Sequence, residues 1–122
     1  MPIAFKTVTF EVNRAPMAGA YIKPQGFAVP GTVRRNEKGK PVLQVALQSF
    51  EMEVLVDGNP SHCSMALDQV KLELVPSTNE DDDGAVRLTL LRRNHPNDAR
   101  NNPPWGFRGV VTALVIADIA SS

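Results

Sequence analysis

"LQVALQSFEMEVLV", residues 43 to 56, changes face half-way along. Apolar side chains hold the odd positions Leu43, Val45 and Leu47, then the even positions Phe50, Met52, Val54 and Val56. Alternation with period two marks a half-buried strand. Gln48 and Ser49, where the phase slips, include none of the Gly, Pro, Asn or Asp that a tight turn requires. One extra residue in a continuous strand moves every later side chain to the other face, so the slip reads as a β-bulge.

A second slip follows in "HCSMALDQVKLELV", residues 62 to 75, where Cys63, Met65 and Leu67 are odd and Val70, Leu72 and Leu74 are even. It falls at Asp68-Gln69. The turn cluster "DGNPS" lies between the two segments, and folding about Gly58-Asn59 sets one slip opposite the other. That register opposes Val54 with Cys63, Met52 with Met65, Phe50 with Leu67, Leu47 with Val70 and Val45 with Leu72. The expectation is a single long hairpin with arms of about 14 residues, roughly 45 Å if straight, which exceeds ordinary strand length and must bend. Bending of both arms at one level suits a ribbon that passes between two packed sheets or rounds a barrel corner.

The flanking segments extend the pattern. "AVRLTLLRR" continues the meander with Val86, Leu88 and Leu90 inward. A register opposing these to Leu74, Leu72 and Val70 also sets Arg87 against Glu73 and Arg92 against Asp68, favourable cross-strand pairs. "TVRRNEKGKPVLQV" reads as a hairpin with Gly39 at a left-handed position. Near the N-terminus Val8, Phe10 and Val12 share one face, with Thr7, Thr9 and Glu11 on the other. "AYIKPQGFAV" reads as short strands broken by Pro24 and Gly26. "GVVTALVIADI" is apolar on nearly both faces, and its β-branched density argues against a helix. The predicted fold is all-β: a two-sheet antiparallel β-sandwich, jelly-roll-like, of seven or eight strands with a long bent central hairpin. A closed β-barrel is the alternative.

With 122 residues the chain is long enough for one core, so residues 1–122 are read as a single domain. Thirteen basic residues balance thirteen acidic ones, which removes the global field expected of a nucleic-acid or membrane-surface binder. One cysteine, Cys63, excludes an intramolecular disulfide and suits a reducing, cytoplasmic setting. The N-terminal residues lack a secretory pattern, and no apolar run is long enough for a membrane helix.

Chemistry-bearing residues are few. The "NHPNDARNNPPWGFRG" segment, residues 94 to 109, is the longest connection and the first candidate ligand site. Trp105 and Phe107 would form a stacking platform for a carbohydrate or small molecule, while His95, Asp98, Arg100, Asn101, Asn102 and Arg108 would supply polar contacts. A crossover whose aromatics plug the end of the core explains the same residues. The run "NEDDDG", residues 79 to 84, lacks the ligand spacing of an EF-hand and reads as a solvated hairpin loop. Cys63 falls on an inward position, and His62 and His95 are isolated, so neither a thiolate nucleophile nor a metal centre is indicated. Paired arginines, Arg34-Arg35 and Arg92-Arg93, read as strand ends.

These observations favour a non-enzymatic β-sandwich without cofactor that acts through protein contact, as a homo-oligomeric assembly or interaction module. The final strand carries that expectation, because an outer face rich in Val, Ala and Ile is unusual in a monomer. Val111, Val115 and Ile119, or their alternates on that strand, are the interface candidates, with Leu55 and Leu91 extending the patch. A carbohydrate-type binding module using residues 94–109 is the alternative.

Overall fold

In a computed structural model of the chain, residues 2–16, 20–56, 59–61, 67–92 and 105–120 are described. The strands are β1 (Ile3–Pro16), β2 (Ala20–Phe27), β3 (Leu43–Val56), β4 (Asn59–Ser61), β5 (Leu67–Val75), β6 (Gly84–Arg92) and β7 (Trp105–Asp118). They form two antiparallel sheets, ordered β1-β7-β3-β4 and β2-β6-β5. Six long strands build these sheets, and β4 adds only three residues at an edge, in place of the expected seven or eight. No helix occurs among the described residues, and none is long and apolar enough to cross a membrane. The described ladders do not join one sheet to the other, so the barrel alternative is excluded.

Both expected slips occur where the phase of the sequence changes. The β3–β7 ladder shifts register between Leu47 and Ser49, and the β5–β6 ladder shifts between Leu67 and Gln69. Their partners differ from the expectation. β3 does not form a long hairpin with the segment that follows it; it pairs along its whole length with β7, from Leu43 opposite Ala117 to Val56 opposite Trp105. Of the described residues that follow β3, β4 pairs with it, with Val54 opposite Ser61, two residues from the expected partner Cys63. β5 lies in the second sheet, and Cys63 and Met65 fall outside the described residues. The apolar alternation of β7 is compatible with the inward positions of β3, so parity alone does not separate it from the local partner.

The β5–β6 meander matches the expected register: Leu74 faces Val86, Leu72 faces Leu88, Val70 faces Leu90 and Glu73 faces Arg87. Arg92 is opposite Leu67, because Asp68 is the bulged residue. β2 runs unbroken through Pro24 and Gly26, contrary to the expected break. As an edge strand it tolerates the missing N–H of a proline. The absent side chain of Gly26 gives room to the Asp82 carboxylate, since a Cβ there would lie 2.0 Å from Asp82 Oδ2.

One core joins the inner faces of both sheets. Val8, Phe10 and Val12 of β1, Val86, Leu88 and Leu90 of β6, and Val111, Ala113, Val115 and Ala117 of β7 are buried in it. Leu43, Val45 and Met52 of β3 pack against it, whereas Leu47 and Phe50, on either side of the bulge, are 50% and 39% exposed. The segment between β2 and β3 closes one end. Arg34 ion-pairs with Asp118 at 2.7 Å, and Gly39 takes the anticipated left-handed conformation, φ 76°. The amide of Asn36 donates to the carbonyl of Lys40 there.

Candidate functional site

Alternation along β7 gives its odd residues to the core and its even residues to the outer face of the four-stranded sheet. Thr112, Leu114 and Ile116 are only half-buried there, and Val110 is 38% exposed. The ladders extend this face to both sides. On β1, Phe5 lies opposite Ile116, Thr7 opposite Leu114 and Ile3 opposite Asp118. On β3, Gln44 lies opposite Ile116 and Ala46 opposite Leu114. Ile3 and Phe5 are 52% and 63% exposed, which is costly for side chains of that size unless something covers them.

The other end of the same face is charged. Glu11 and Glu51 flank Val110 from either side, and beyond them Arg108 Nε donates to Glu53 Oε1. The outer face of the second sheet is different again: its centre is a chain of charges in which Arg87 donates to Glu73 Oε1 from Nε at 2.8 Å and from Nη2 at 2.6 Å, with Lys71 alongside. The Arg87 guanidinium holds the Glu73 carboxyl below the usual glutamate range. Ile22 of β2 and Leu91 of β6, 57% and 38% exposed, lie on the same face beside this charged centre. The apolar end of the β1-β7-β3 face instead groups Ile3 and Phe5 beside Leu114 and Ile116.

Two of the sheet edges, β1 and β2, carry guarding charges. Lys6 of β1 and Lys23 of β2 occupy positions of the inner-face register, opposite Val115 and Leu88, yet both are exposed. Charges at inward positions of edge strands oppose the addition of another strand.

Of the interface candidates, Val111 and Val115 are fully buried in the intramolecular core, and Ile119 packs against it. Val111 and Val115 are therefore turned away from the outer face of the sheet, where Val110, Leu114 and Ile116 lie. Leu91 is exposed on β6 of the other sheet and does not extend this patch. Leu55 is opposite Gly106 on β3. Ile3, Phe5 and Ala46 were missed. The signal for Ile3 and Phe5 was present in "IAFKTVTFEV", where two large apolar residues share the parity of Thr7, Thr9 and Glu11.

The candidate ligand segment is shorter than expected, because residues 105–109 are the start of β7 and Trp105 and Phe107 pair in the ladder with Val56 and Val54. His95, Asp98, Arg100, Asn101 and Asn102, like His62, lie outside the described residues. The acidic run is a hairpin loop whose groups have internal partners. Asp83 Oδ2 accepts from the amide of Val29 at 2.7 Å, Asp82 Oδ2 accepts from Ser77 Oγ at 2.9 Å, and Asn79 Oδ1 accepts from the amide of Asp81. Among the described residues no group of three or more His, Cys, Asp or Glu could hold a metal ion.

No family model matches the chain, and no curated protein or solved structure is significantly similar to it.

Proposed function

We propose that the protein is a β-sandwich that acts through protein contact, as a homo-oligomer joined across the outer face of β1, β7 and β3. The observation that carries this reading is the patch formed by Ile3, Phe5, Leu114, Ile116 and Ala46 on one face of one sheet. Its two large exposed members are neighbours along β1, and Phe5 lies opposite Ile116 of β7, which distinguishes a patch from scattered surface apolar residues. A second copy supplies the same patch, so that a two-fold contact is self-complementary. The contact centres on the Phe5–Ile116 end, because superposing the Glu11–Glu51 ends would bring like charges together without partners. The single cysteine supports a cytoplasmic setting, and nothing in this reading needs a catalytic group or cofactor.

The test is the solution mass by light scattering over a range of concentrations, for the natural chain and for Phe5→Glu. The expected result is an oligomer that Phe5→Glu converts to a folded monomer. A natural chain that remains monomeric at every concentration overturns the proposal.

A further inference from the structure

Two pinned loops stand on either side of a cleft of about 620 Å³, within the size range of small-molecule sites. Arg35 and Lys40, from the segment between β2 and β3, line one side. Asp82 and Asp83, from the β5–β6 loop, line the other, and Leu43 and Leu74 contribute apolar surface between them. Each wall is held by bonds of its own. Asn36 Oδ1 accepts from the amides of Lys38 and Lys40, and Arg35 Nη1 donates to the carbonyl of Gly39. On the opposite side the carboxylates are tied to Ser77 and to the amide of Val29, leaving each with a second oxygen.

Two cations and two carboxylates thus border one cleft, yet none of the four forms an ion pair with another among the described residues. Walls free to close would let these long side chains neutralise one another. With no ion pair formed among them, their attraction is available to a ligand that spans the cleft. A ligand with one charge would satisfy only one wall. The four groups sum to zero, and their complement carries both signs around an apolar body.

We propose that this cleft binds a small apolar zwitterion, with the chemistry of an apolar dipeptide. Its carboxylate meets Arg35 and Lys40, its ammonium meets Asp82 and Asp83, and its aliphatic side chains lie on Leu43 and Leu74. The site is independent of the self-association reading.

The test titrates leucyl-leucine into the full chain, followed by calorimetry and by amide chemical shifts. Three probes each remove one feature: N-acetyl-leucyl-leucine the ammonium, leucyl-leucinamide the carboxylate, and glycyl-glycine the apolar body. The expected result is saturable binding of leucyl-leucine that maps to the cleft, with each comparison probe weaker by about tenfold or more. Lys40→Gln should weaken leucyl-leucine by a similar factor and leave leucyl-leucinamide unchanged. Asp82→Asn, which retains an acceptor for Ser77, should weaken leucyl-leucine but not its N-acetyl form. The proposal is overturned if leucyl-leucine produces no saturable shifts at the cleft, or if it and the three probes bind alike. Indifference of leucyl-leucine to both substitutions overturns it as well.

Discussion

Single residues set the closest approaches in this molecule, and two glycines illustrate how differently they do so. A Cβ at Gly109 would lie 1.9 Å from the backbone oxygen of Glu51 and 2.8 Å from the Cα of Met52. Neither atom can move without separating β3 from β7. At Gly26 the obstacle is the carboxylate of Asp82, which can swing away at the loss of its bond from Ser77. Gly109→Ala should therefore destabilise the fold by about 1–3 kcal/mol, the range for overpacking, and Gly26→Ala by less. Urea unfolding midpoints of the two variants check the ranking, and equal or reversed midpoints refute it. Glu73 gives a prediction in pH. Its folded-state pKa is lowered chiefly by hydrogen bonds from Arg87, against a usual value of 4.5, so the folded state binds its proton less readily than the unfolded chain. The resulting stability is fully present above that usual value and is lost as pH falls through the lowered one. Melting curves of the natural chain and of Glu73→Gln should differ near neutrality and converge in acid.

At the scale of the strand, the bulges show what a phase change means. From Val111 to Ala117 β7 keeps odd residues inward, whereas β3 changes from odd to even, and Gln48 is the residue without a partner between Leu47–Ala113 and Ser49–Thr112. Deleting Gln48 leaves every other β3–β7 pair in place. Deleting Glu51 instead shifts one side of the ladder against the other and turns core-directed residues outward. The first deletion should fold with a modest loss of stability and the second should fail to fold cooperatively, as read by circular dichroism on heating. Equal tolerance of the two would mean that the bulge does not set the register. The same reasoning explains why the slips were legible and the partner of β3 was not. Parity says which side chains of a strand point inward; it does not say which strand they face. The segment after "DGNPS" and the distant β7 both satisfied the parity of β3. The β5–β6 register was legible because two independent signals agreed there, the inward triplets and the Glu73–Arg87 charge pair.

For the whole molecule, the contrast between the two outer faces carries the functional proposal. One has charges paired along its centre, and the other carries Ile3 and Phe5 beside Leu114 and Ile116. In a two-fold assembly a substitution at the contact acts twice, so Phe5→Glu should raise the dissociation constant by well over the tenfold that corresponds to about 1.4 kcal/mol. Thr89→Glu, on the solvated outer face of the other sheet, should leave the mass unchanged, and light scattering on the two variants distinguishes a specific contact from general loss of solubility. The amino-acid sequence by itself determined the all-β class, both bulges, the left-handed Gly39, the β5–β6 register and the doubly apolar character of the last strand. Each follows from local periodicity, turn chemistry or a pair of neighbouring strands. Only the tertiary structure decided that β3 pairs with β7, that Val111 and Val115 belong to the core, and that Phe5 joins Ile116. It alone brought Arg35 and Lys40 to the same cleft as Asp82 and Asp83. Those outcomes depend on which of several compatible strands buries the most surface together, a property of the packed whole that no single stretch of sequence contains.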